Sequence, residues 1–71
     1  MNRTPVSSSN LASVGYDPVN FILEIEFHNG GIYQYFNVPE SEFNGLMGAE
    51  SHGKYFDGYI KKGGYSFKKI R

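Results

Sequence analysis

The chain contains no cysteine. No disulfide staples it, and no thiolate is available to bind a metal or attack a substrate. That suits a reducing compartment. Histidine is scarce as well: His28 and His52 stand far apart with no cysteine beside them, so no metal site and no cofactor is expected. Long apolar runs are missing. The longest, Phe21-Ile22-Leu23, is far short of a membrane span, and residues 1–10 lack the apolar stretch of a secretory signal. A soluble, cytoplasmic protein with no membrane partner is the expectation. Net charge is zero, which argues against a protein that coats nucleic acid indiscriminately.

What is abundant is aromatic. Six Phe and six Tyr stand among 71 residues. A chain of this length makes one domain and buries only about 60% of its unfolded surface, so packing of large rings must stabilise it. The zero net charge hides an asymmetry. Residues 1–53 carry one base, Arg3, and six acids. Residues 54–71 carry Lys54, Lys61, Lys62, Lys68, Lys69 and Arg71 against Asp57 alone, a net of +5. Such a segment is either a solvated tail or a contact for an anionic partner.

Periodicity sets out an α+β domain over residues 6–71, after a loose N-terminus at residues 1–5. Leu11 to Tyr16 has strand character, and Asp17-Pro18-Val19-Asn20 reads as a turn. Phe21, Leu23, Ile25 and Phe27 alternate with Ile22, Glu24 and Glu26, giving a strand with one buried face and one wet acidic face. His28-Asn29-Gly30-Gly31 is a hairpin turn, and Ile32 to Phe36 is the return strand. Asn37 and Pro39 start a helix in which Phe43, Leu46 and Met47 form an apolar stripe. Ser51 caps a second helix, in which Tyr55, Phe56, Tyr59 and Ile60 form the core stripe and Gly63-Gly64 the stop. Alternation at Tyr65 and Phe67 marks a last strand. The expected fold is a small antiparallel sheet, a three-stranded meander plus a C-terminal strand, packed against two short helices.

The stretch Ile32-Tyr33-Gln34-Tyr35-Phe36 decides much of the function. With a two-residue loop, Tyr33 lies opposite Glu26 and Tyr35 opposite Glu24 on the wet face. With a three-residue loop, Ile25 meets Tyr33 and Leu23 meets Tyr35 on the core face. A slip of one residue moves the whole set across the sheet. Carboxylates beside exposed tyrosines would repel a phosphate backbone, which favours the core-face register.

Two other constellations bear on binding. Ser51, His52, Gly53 and Lys54 gather a hydroxyl, an imidazole, a lysine and free N–H groups at a helix start, which suits an anion; the simpler reading is an ordinary N-cap. Lys61, Lys62, Lys68, Lys69 and Arg71 interleave with Tyr65 and Phe67, the pattern of single-strand binding. No nucleophile–base pair, phosphate loop or metal cluster is visible, so no catalytic residue is expected.

The strings SSSNLASVGYD, LEIEF..GGIYQYFNVP and A.SHGKYFDGYI together resemble the KTSC domain over about residues 6 to 62. The family's marks are met by Tyr33 and Tyr35, then Val38-Pro39, then Ser51, Gly53, Tyr55 and Phe56, with Ile60 after them. That domain occurs at the C-terminus of some lysyl-tRNA synthetases and as stand-alone bacterial and phage proteins. The family has no established activity, and the resemblance suggests RNA as a partner through the synthetase association. The functional expectation is a non-enzymatic module that binds RNA or another single-stranded nucleic acid weakly. Tyr33, Tyr35, Lys54, Lys61, Lys62, Lys68, Lys69 and Arg71 are its candidate contacts. The alternative is a protein-interaction module that docks through a sheet edge or the Glu24/Glu26 face.

Overall fold

The computed structural model describes all residues, 1–71. Five strands, β1 (Thr4–Pro5), β2 (Leu11–Asp17), β3 (Ile22–Phe27), β4 (Ile32–Tyr35) and β5 (Phe67–Lys69), form one antiparallel sheet whose spatial order is the chain order. Between β4 and β5 lie α1 (Glu40–Gly48) and α2 (His52–Tyr55), and α2 runs on as a π-helical segment, Phe56–Lys61. The fold is α+β, with the helices on one face of the sheet. No helix is long and apolar enough to cross a membrane.

The hairpin takes the three-residue loop. The Phe27 N–H donates to the Gly31 carbonyl, the Gly30 N–H donates to the Phe27 carbonyl, and Gly30 sits at φ 93°. Only glycine adopts that backbone without strain. Ile25 therefore pairs with Tyr33 and Leu23 with Tyr35, which turns both tyrosines toward the helices. A bulge at Ala12 shifts register between Leu11 and Ser13 and lets Leu11 and Val14 share that same face. Leu11, Val14, Leu23, Ile25, Tyr35, Val38, Leu46, Phe56 and Ile60 make the core.

Several expectations need correction. Phe21 does not belong to the strand: it closes the preceding turn at φ 58° and is half exposed. Its carbonyl, accepting from the Val38 N–H, does the holding. Asn37 does not cap α1; it takes a left-handed turn at φ 59°, and Pro39 occupies the cap position. Tyr59 is 59% exposed and lies outside the core, because the wider π turn carries it off the stripe that keeps Phe56 and Ile60 buried.

The N-terminus is not loose. Thr4 and Pro5 pair with Val14 and Ser13 along the edge of β2, and the Val6 N–H donates to the Ala12 carbonyl. The reason lies on the outer face of the sheet, which was expected to be wet and acidic. Glu24 is buried there. The Arg3 guanidinium pairs with its carboxylate, and the Gln34 amide donates to its other oxygen at 2.8 Å. Ser13 accepts from Arg3 Nε at 3.0 Å and donates to Glu26 at 2.8 Å. Arg71 reaches Glu26 at 3.6 Å. A buried carboxylate requires a cation, and residues 1–5 deliver it across Gly15, where a Cβ would come 2.6 Å from the Asn2 carbonyl oxygen. The Glu24/Glu26 face is thus neutralised and partly covered, and it is not a free acidic docking surface.

Candidate functional site: an aromatic groove

The helices leave one end of their sheet face uncovered. Between the hairpin tip, Ser9-Asn10 and the π-helical segment lies an open groove of about 730 Å³, lined by Phe27, Tyr33, Tyr35, Phe56 and Phe67 and by polar groups that include Asp57 and Lys61. Its volume is in the range of small-molecule sites, about 300–1,000 Å³.

The five rings form a closed circuit. Phe27 meets Phe56 edge-on with centroids 5.4 Å apart, and Phe56 meets Tyr35 edge-on at 5.5 Å. Tyr35 lies tilted on Phe67 at 5.6 Å, and Phe67 on Tyr33 at 6.1 Å. Tyr33 returns edge-on to Phe27 at 5.6 Å. Pair register explains the gathering: Tyr35 is opposite Phe67 across β4 and β5, and Tyr33, two residues before Tyr35 on the same strand face, is the diagonal neighbour of Phe67. The members differ in access. Phe56 and Tyr35 are buried, Tyr33 is half-buried, and Phe67 is 62% exposed. Phe67 was expected to interleave with the basic residues but was not among the candidate contacts; its pairing with Tyr35 is what places it in the groove.

The Tyr35 hydroxyl makes no hydrogen bond to any protein group, yet no fully buried polar side-chain atom in the structure lacks a partner. The hydroxyl therefore opens onto the groove its ring lines. Burial, with the neighbouring Tyr33 phenol, pushes Tyr35 up to about 12. On α2, the Tyr55 hydroxyl donates to Glu42 at 2.6 Å, and this bond, with burial, also raises Tyr55 to about 12. Both phenols ionise near pH 12 in the folded chain against 10 in the unfolded one. Their contribution is intact below pH 10 and is lost as pH rises through 12. Denaturant midpoints should fall between about pH 10 and about pH 12, as the unfolded chain ionises these phenols before the folded one does. Tyr35→Phe should flatten part of that fall.

The predicted cations are not gathered in one place. Lys61 stands in the groove. Lys69, paired with Tyr33 in register, and Arg71 line an adjoining hollow with Asn29 and Gly31. Lys68 pairs with Gln34 on the outer face, and Lys62 lies just past the π segment. Lys54 lines a third, wholly polar hollow with Ser51, His52 and Gly53. There the Ser51 hydroxyl accepts from the Lys54 N–H and His52 Nδ1 lies 2.8 Å from the Leu46 carbonyl. Glu50 and Asp57 share that hollow. These groups act as a cap and a helix–helix tie.

Comparison with known proteins bears on the fold and the family. A sequence model of the KTSC domain matches residues 7–65. A protein of Stutzerimonas stutzeri is 40% identical over 70 residues, 99% of each chain. The lysine–tRNA ligase of Nostoc sp. is 44% identical over 46 residues, which are 65% of this chain and 8% of the ligase. The crystal structure of a KTSC domain protein from Yersinia pestis aligns with a TM-score of 0.93 at 50% identity, covering 99% of this chain and 97% of that one. The chain belongs to the KTSC domain family.

Proposed function

We propose that this domain is a binding module for RNA or another single-stranded nucleic acid, and that the aromatic groove is its site. The observation that carries the reading is the exposed Phe67 ring beside Tyr33 in an open groove with Lys61, Lys69 and Arg71 around it. A base stacks on an aromatic face whatever its sequence, and cations within a few residues track the phosphates on either side. This differs from a platform on the outer face, since the core-face register holds. Stacking falls to Phe67 and Tyr33, while Tyr35 is too buried to serve as a platform. The partial match to lysine–tRNA ligases supports RNA as the polymer.

Anisotropy of a labelled single-stranded RNA tests it. Two phosphate contacts, from Lys61 and Lys69, predict a log–log salt slope of about −1.4. Phe67→Ala should cost about 1–3 kcal/mol of binding while leaving the fold intact, and Lys61→Ala or Lys69→Ala should each lower the slope by roughly 0.7. Absence of binding at about 50 mM salt, where phosphate contacts are strong, rejects the reading.

A further inference from the structure

An acid in a groove meant for a polyanion requires a reason. Asp57 lines the groove, is exposed and forms no ion pair with any cation of the chain. At the same groove the Tyr35 ring is more than nine-tenths buried and its hydroxyl has no protein partner. Asp57 and the Tyr35 hydroxyl thus line the same groove as the five aromatic rings, and neither is spent on a protein partner. A nonspecific stacking site would need neither of them, and the carboxylate would weaken it.

Resting on the nucleic-acid reading above, we propose that the groove receives one unstacked base and selects guanine, with the Asp57 carboxylate and the Tyr35 hydroxyl reading its edge. Single-stranded RNA is read in this manner, by stacking of a splayed base and hydrogen bonds to its Watson–Crick edge. Among the four bases only guanine presents two adjacent donors, N1–H and the N2 amine, which a carboxylate accepts as a bidentate pair. Adenine, cytosine and uracil each offer one donor there. Beside that edge guanine carries the O6 acceptor, and a phenol that stays protonated is a donor for it. The repulsion between Asp57 and phosphate is then offset by a contact that the other bases cannot return in full.

The test uses the intact domain and short oligouridylates in which one central position is uridine, guanosine, inosine, adenosine or cytidine. The guanosine oligomer should bind about tenfold or more tightly than the others. Inosine, which keeps N1–H and O6 but lacks the N2 amine, should fall between. Asp57→Asn and Tyr35→Phe should each erase most of the preference while keeping residual salt-dependent binding; circular dichroism checks that both variants remain folded. Equal binding of all five oligomers with a steep salt slope overturns guanine selection but leaves the nucleic-acid reading standing. A guanosine preference that survives both substitutions also overturns it. No binding to any oligomer removes both readings.

Discussion

Arg3→Ala should cost this domain about 3 kcal/mol, although the residue lies three positions from the N-terminus. Glu24 is nearly inaccessible, and Arg3 is its only ion-pair partner. Removing one partner of a buried pair leaves an uncompensated charge, an effect of about 3–5 kcal/mol; the Arg3 side chain retains some solvent contact, which places the value at the lower end. For a chain of this size, whose total stability is of order 5–10 kcal/mol, that is a large fraction. Urea melts of the single variants and of Arg3→Met with Glu24→Met measure it. The double replacement should recover most of the loss, because no unpaired charge remains. The pair also makes the fold acid-sensitive. Burial pushes the Glu24 carboxyl up, but bonds from Gln34 and Arg3 outweigh it and hold the group below its ordinary value. Its contribution is present at neutral pH and is lost as pH falls through the lowered folded value. Arg3→Ala should shift acid unfolding to higher pH.

Phe56→Ala should be the more damaging of the large-ring truncations, at about 3–5 kcal/mol, the usual range for a buried phenylalanine. Phe56 is 4% exposed and meets both Phe27 and Tyr35 edge-on, so its loss opens a void and breaks the aromatic circuit at two points. Thermal melts should show a domain that is largely unfolded at 37 °C or close to it. Phe67→Ala should behave in the opposite way, with melting nearly unchanged and binding reduced, because that ring has little protein surface to lose. A Phe67 variant that unfolds as readily as the Phe56 variant would make the whole circuit a core element and remove Phe67 as a platform. Together the two variants separate the ring that supports the groove from the ring that presents it.

The amino-acid sequence by itself determined the α+β class, the hairpin at Asn29-Gly30 and the two helices, because these follow from period-two and period-3.6 patterns and from the local chemistry of turns and caps. The Ser51 cap and the apolar stripe of α1 were legible for the same reason. The family was also legible, through the order and spacing of Tyr33, Tyr35, Val38-Pro39 and Ser51 to Phe56. What tertiary structure decided was every property that depends on an opposing element. Whether Tyr33 and Tyr35 face the helices rested on one residue of loop register, to which periodicity is blind. That Glu24 is buried depended on Arg3 folding back from 21 positions away. That Tyr59 is outside and Phe56 inside depended on a change of helix pitch. The groove itself is a place where the helices fail to cover the sheet, and only the assembled layers reveal where that cover ends.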